Sequence, residues 1–138
     1  MKADTKRIAE LHASGFSCAQ VVAYMCRDLS GIDEKAALAA MGGFGGGLRC
    51  GEVCGAVAAG VYTLGLCFPY NEPGDAEAKE NIAALTREFT EKCKEEFGAL
   101  PCRELIADGS HERCEGYMAR AVELIHEMIE REKTNGNL

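Results

Sequence analysis

The sequence contains no tryptophan, only three prolines and only 7% aromatic residues. Its core must therefore be built from Ala, Val, Leu, Ile, Met and Cys. Basic charge is also scarce, with 15 Lys and Arg against 22 Asp and Glu, a formal net charge of -7. That balance excludes nucleic acid as a partner, because neutralising phosphates needs a basic face. No segment sustains strand alternation, which leaves helical periodicity to organise the chain. No apolar run or small-residue cleavage site follows the charged opening Met1 to Arg7, so no signal peptide is expected.

A 47% hydrophobic fraction in 138 residues suits one good core and excludes a disordered chain. We expect a single all-α domain over residues 1–138, with a polar, frayed tail from about Thr134. The expected architecture is a compact bundle of about five to seven helices around a buried central apolar helix. Charge is uneven along it: residues 1–71 carry 6 acidic and 6 basic side chains, and residues 72–138 carry 16 and 9. The acidic residues of the second half fall on the outer faces of amphipathic helices and read as a solvated surface.

Helix starts are marked by capping residues. A first short helix covers roughly Thr5 to His12. Ser17 and Gln20 form an S-x-x-Q capping box, opening a helix to about Ser30, stopped by Gly31. Asp33 caps a helix to about Met41, and an apolar helix follows from roughly Glu52 to Cys67. Asp75 caps a long helix ending before Gly98, Pro101 opens a short one, and Ser110 caps the last. Val53 to Asn71 is 19 residues without a charge, which is spanning length. Pro69, Asn71 and several glycines favour a buried central helix over a membrane span. Gly43, Gly47, Gly51, Gly55 and Ala59 recur every fourth residue and, on a continuous helix, would form a ridge for close approach.

The glycine run Gly42 to Gly47, interrupted by Phe44, does not fit a nucleotide site. It lacks G-x-x-x-x-G-K-[ST], breaks the G-x-G-x-x-G spacing and follows no strand. It reads as a tight turn between helices, with closure of glycine backbone over a cysteine site as the functional alternative.

Cysteine is the abundant residue: eight of 138, about 6%, above ordinary usage but below the disulfide-scaffold range. The expected location is the cytoplasm, where thiols stay reduced and many cysteines point to metal or redox chemistry. Cys18, Cys54, Cys102 and Cys114 each fall near a helix N-terminus. Partial positive charge there stabilises a thiolate, which is both the nucleophile of disulfide exchange and a ligand for soft metals. Cys26, Cys67 and Cys93 read as packing residues. Cys50 stands four before Cys54; on one helix their Cβ atoms would be about 5–6 Å apart, too far for a disulfide. Cys50 could pair or ligate only from outside the helix. His111, three before Cys114, is a further candidate ligand. There is no C-x₂-C pair, which lowers the expectation of zinc, and no C-x-x-C-H, so haem is not indicated.

These residues resemble a known family. Gly15 to Gln20 (GFSCAQ), the run GGFGGG, Gly51 to Ala56 (GEVCGA), Cys102 to Leu105 (CREL) and Cys114 occur in the order of the C_GCAxxG_C_C family. That family has about this length, is described as redox-active, and is defined by four cysteines and a C-G-A-x-x-G motif. Residue by residue, its cysteines fall on Cys18, Cys54, Cys102 and Cys114, while Ala59 stands where the motif has its second glycine. The chain is also distantly similar to the non-haem domain of split-Soret cytochromes, which implies an iron–sulfur centre.

Three functions are carried forward. The first is thiol–disulfide exchange or electron transfer at the four cysteines with an unidentified redox protein or small electron carrier. Cys18 is then the nucleophile, and Cys102 with Cys114 the pair expected to bond. The second is an iron–sulfur cluster or other soft metal held by Cys18, Cys54, Cys102 and Cys114, with Cys50 or His111 as further candidates. The third is a helical interaction module with packing cysteines. A homodimer is compatible with the modest core.

Overall fold

Short polar side chains set where the helices begin. The computed structural model describes residues 1–136 and is all-α, with eight α-helices among those residues. Asp4 accepts from the Arg7 N–H at 3.0 Å and starts α1 (Thr5–Ala13). Ser17 and Gln20 close the expected reciprocal capping box at the start of α2 (Cys18–Met25). The Gln20 amide also donates to the Leu38 carbonyl at 3.0 Å, tying α2 to α4 (Glu34–Ala40), itself capped by Asp33. Asp75 caps α6 (Ala76–Phe97), which stops at left-handed Gly98.

The helix expected to continue to Ser30 instead bends at Cys26, so α3 (Arg27–Ser30) is a separate turn ending on left-handed Gly31. The apolar helix α5 (Gly55–Cys67) starts three residues later than expected, with Cys54 as its N-cap. Ser110 does not cap the last helix. Its hydroxyl accepts from Glu112 N–H inside a tight loop, and α8 (Cys114–Thr134) begins after Arg113. The small-residue ridge also fails as a continuous feature, because Gly43, Gly47 and Gly51 precede α5 in non-helical backbone. Part of the expected tail, residues 137–138, lies outside the described residues; Asn135 caps α8.

The core forms where α2 and α5 meet and α8 closes over both. Ala19, Val21, Val22 and Ala23 of α2 are buried, as are Ala56, Val57, Ala59 and Leu64 of α5. These small side chains let the two helices approach closely. Helix α6 also approaches α5 closely: a Cβ on Gly60 would stand 2.3 Å from Phe89 Cζ. Helix α5 is thus central, as expected, although Leu66 on its outer side is exposed. Helices α2 and α5 run parallel. The start of α2 (Cys18) lies against the start of α5 (Gly55), and the end of α2 (Cys26) lies against Thr63 near the end of α5. Both N-termini therefore open onto the same end of the molecule. No helix among the described residues is long and apolar enough to cross a membrane.

Candidate functional site

Cys18 is the first residue of α2, held there by the Ser17 cap. Its sulfur faces the backbone N–H groups of Gly46, Ala19 and Gly55, drawn from three separate segments. Glycine makes this convergence possible. A Cβ on Gly55 would stand 2.6 Å from Cys18 Sγ, and one on Gly45 would stand 2.3 Å from Ser17 Cβ. Both positions must lack a side chain for the backbone to reach the thiol. The glycine run does close over a cysteine, which is the functional alternative drawn from the sequence.

The segment that delivers Gly46 is a left-handed turn. Gly46, Gly47, Leu48 and Arg49 all have φ near +60°, an arrangement that costs a non-glycine residue about 1–2 kcal/mol. Surrounding contacts hold it: the Arg49 guanidinium donates to the Gly42 carbonyl at 2.7 Å, and Glu52 N–H donates to the Gly47 carbonyl at 2.9 Å. Gly47 packs so tightly that a Cβ would fall 2.2 Å from the Glu52 carbonyl oxygen.

Cys54 is the N-cap of α5 and is buried. The Ala56 and Val57 N–H groups face its sulfur, which lies beside that of Cys18. The Cys54 S–H donated to Cys18 is the largest influence bringing Cys18 down to about 6, against the opposing effect of burial and with help from the Gly46, Ala19 and Gly55 amides. Cys54 is pushed up by the same hydrogen bond, by burial and by the charge on Cys18. Cys18, the lowered member of the pair, faces three backbone N–H groups and Cys54 two.

Cys102 reaches this end of the bundle through a backbone clasp. Val53 and Pro101 form an antiparallel bridge, Cys54 N–H donates to the Leu100 carbonyl at 2.8 Å, and Cys102 N–H donates to the Glu52 carbonyl at 2.6 Å. Cys102 opens the short helix α7 (Cys102–Leu105). Cys114 opens α8, and the Arg113 guanidinium, bonded to the Leu105 carbonyl at 3.1 Å and to Asp108, fixes α7 to that start. Cys102 is raised by burial and then by the Cys18 charge; Cys114 is raised by burial and then by Cys18 and Cys102. The four cysteines picked out by helix starts thus gather at one end. Within that group Cys18 lies directly beside Cys54.

The remaining candidates lie apart from that pair. Cys50 is outside the helix, as a bond from it would require, but it is exposed on the left-handed turn with its thiol toward the Gly47 carbonyl at 3.5 Å. His111 Nδ1 stands 3.7 Å from Cys114 Sγ. Four thiols are the right donors for an iron–sulfur cluster or another soft metal. Among the described residues no three His, Cys, Asp or Glu side chains are grouped so as to hold a single metal ion. Cys93 is fully buried, while Cys26 and Cys67 lie at the opposite end of α2 and α5. The contributions of the Gly46 and Gly55 amides were not assigned from the sequence; the glycine run and the Cys54-Gly55 dipeptide are the signals that carry them.

The fold and site define an all-α protein with two adjacent thiols, Cys18 and Cys54, where two parallel helices begin. Its sequence matches, over residues 16–128, the family described as "Putative redox-active protein (C_GCAxxG_C_C)". The chain belongs to that family. No curated protein and no solved structure matches it.

Proposed function

We propose that this protein performs thiol–disulfide exchange, with Cys18 as the attacking thiolate and Cys54 as the resolving thiol. The observation that carries the reading is the adjacency of the two sulfurs beneath the Gly46, Ala19 and Gly55 amides. The Cys18 thiolate attacks one sulfur of a partner disulfide. That S–S bond breaks, a Cys18–partner disulfide forms, and the departing partner thiolate takes up a proton. Cys18 then carries no negative charge, so of the influences that kept Cys54 protonated only burial remains. Cys54 gives up its proton to water and attacks Cys18 Sγ, releasing the second partner thiolate. Two protein thiols have lost two electrons, and the partner disulfide has gained them.

Cys102 and Cys114 serve this reading as the neighbouring dithiol onto which the Cys18–Cys54 disulfide is passed or from which it is reduced. Their position, on the clasp and at the start of α8, supports that role. A compartment that keeps thiols reduced, such as the cytoplasm, suits this reading.

The test is anaerobic purification followed by limited oxidation and disulfide mapping, with iron and zinc content measured on the same sample. The expected result is a Cys18–Cys54 bond in metal-free protein. About two or more irons per chain, or oxidation that leaves Cys18 and Cys54 unbonded, overturns it.

A further inference from the structure

The parallel packing that joins Cys18 to Cys54 at one end has a counterpart at the other. Cys26 ends α2 and Cys67 ends α5. The Cys26 thiol lies against the Thr63 hydroxyl, which donates to the Ala59 carbonyl at 2.9 Å, and Thr63 lies one turn before Cys67 on the same face of α5. The Cys67 thiol in turn donates to the Leu29 carbonyl at 3.6 Å, and the Leu29 N–H donates to the Cys26 carbonyl at 3.0 Å. Each cysteine is thus docked on the turn that the other begins or ends. They are close enough for a charge on Cys67 to be felt at Cys26. Cys26 is fully buried and Cys67 is partly exposed, so one member of the pair is open to a small reagent and the other is hidden behind it.

We propose that Cys26 and Cys67 form a second, reversible disulfide, made by exchange with a low-molecular-weight disulfide, that staples the C-terminal ends of α2 and α5. The Cys67 thiolate attacks the small disulfide, whose S–S bond breaks; one half stays on Cys67 as a mixed disulfide and the other leaves as a thiolate and is protonated. Cys26 loses its proton and attacks Cys67 Sγ, expelling the second half. Two protein thiols are oxidised and one small disulfide is reduced to two thiols. Bond formation takes Cys67 off the Leu29 carbonyl and onto its neighbour.

The two pairs differ in speed because their surroundings differ. Cys18 sits at a helix start under three amides, whereas Cys26 and Cys67 sit at helix ends, where exposed carbonyls disfavour a thiolate. Burial and Asp28 push Cys26 up to about 12, and burial raises Cys67. The second disulfide therefore forms after the first, under sustained oxidation, and closes the chain between Cys26 and Cys67 into a loop that restricts the unfolded state.

The inference stands independently of exchange at Cys18, and its test keeps the two apart. The full chain and its Cys18→Ser variant are reduced, incubated with glutathione disulfide, alkylated in denaturant and digested with chymotrypsin. Cleavage at Tyr24 separates Cys18 from Cys26, and cleavage at Tyr62 separates Cys54 from Cys67. The expected result is a Cys26–Cys67 crosslink in both proteins, forming later than any Cys18–Cys54 crosslink, with a rise of several degrees in the thermal midpoint. Cys67→Ser is expected to leave Cys26 fully alkylated and to abolish that rise. Complete alkylation of Cys26 in the oxidised Cys18→Ser protein, or a reaction that halts at a glutathione adduct on Cys67, overturns the proposal.

Discussion

Gly55 abuts the Cys18 sulfur so closely that a Cβ at position 55 would stand 2.6 Å from Cys18 Sγ. The contact lets the Gly55 N–H donate to the thiolate. Gly55→Ala must push Cys18 out of its cradle of amides. We expect Cys18 alkylation by iodoacetamide at pH 7 to slow about tenfold and its pH midpoint to move up. Gly65→Ala is the control, because nothing lies within 4 Å of a Cβ there. Equal slowing in both variants would show that Gly55 acts through helix stability and not through Cys18.

The same pair sets how stability depends on pH. Folding lowers Cys18 from an ordinary 9.0 to about 6. Between those values the unfolded chain holds a proton at Cys18 that the folded chain has released, so stability rises with pH. That contribution is complete above about 9 and is lost as pH falls through 6. Cys54 acts in the opposite sense: above 9 the folded protein keeps a proton that the unfolded chain has lost, and stability falls. Cys26 and Cys93, each pushed up to about 12 by burial, steepen that fall. Urea unfolding of the reduced protein from pH 5.5 to 10.5 is expected to give a maximum near pH 9. In Cys18→Ser the rise between 6 and 9 should vanish; if it persists, another group is responsible for it.

The close approach of Gly60 to Phe89 supports a prediction about the core. A Cβ on Gly60 would lie 2.3 and 2.4 Å from two ring carbons of Phe89 and 3.3 Å from Ile125 Cγ1. Phe89 is fully buried, so its ring has nowhere to retreat without moving α6. Gly60→Ala is expected to cost about 1–3 kcal/mol, measured as a lower urea midpoint. Phe89→Leu in the Gly60→Ala background should recover part of that loss by making room. An additive double variant would mean that the two residues do not meet as described.

Much of this molecule was legible in the order of its residues, for local reasons. Ser17, Asp33 and Asp75 act as caps wherever a helix follows, so three helix starts were placed from short-range chemistry alone. The same reasoning marked Cys18, Cys54, Cys102 and Cys114, because a cysteine's position relative to a helix start is also local. Ser110 misled because the Asp108 carboxylate and the Arg113 guanidinium build a loop that outcompetes it as a cap. The pairing of Cys18 with Cys54 was out of reach for a different reason. It depends on α2 and α5 lying parallel, and on a turn that places Leu48 and Arg49 in a backbone region neither favours. The four-residue recurrence from Gly43 to Ala59 looked helical because glycine spacing carries no information about handedness. Four successive residues of that stretch, Gly46 to Arg49, turn the other way.

Leu48 therefore offers a test of how the site is held. Its φ of +60° is strained for any residue with a Cβ, and its side chain is 50% exposed, so little packing is at stake. Leu48→Gly removes about 1–2 kcal/mol of strain and returns part of it as added freedom in the unfolded chain. The net expectation is stabilisation by up to about 1 kcal/mol, read as a higher urea midpoint. Arg49 has the same φ but also donates to the Gly42 carbonyl, so Arg49→Gly should gain less or lose stability. The consequence for the thiol is separable from both. Gly46 keeps its N–H on Cys18 only while the turn stays left-handed, and Leu48→Gly retains that backbone. Its Cys18 alkylation midpoint should stay near 6. Leu48→Pro cannot keep it, since proline fixes φ near -65°; in that variant the midpoint should move up even where the helical circular dichroism is unchanged. An unmoved midpoint in folded Leu48→Pro would show that the Gly46 amide does not sustain the thiolate.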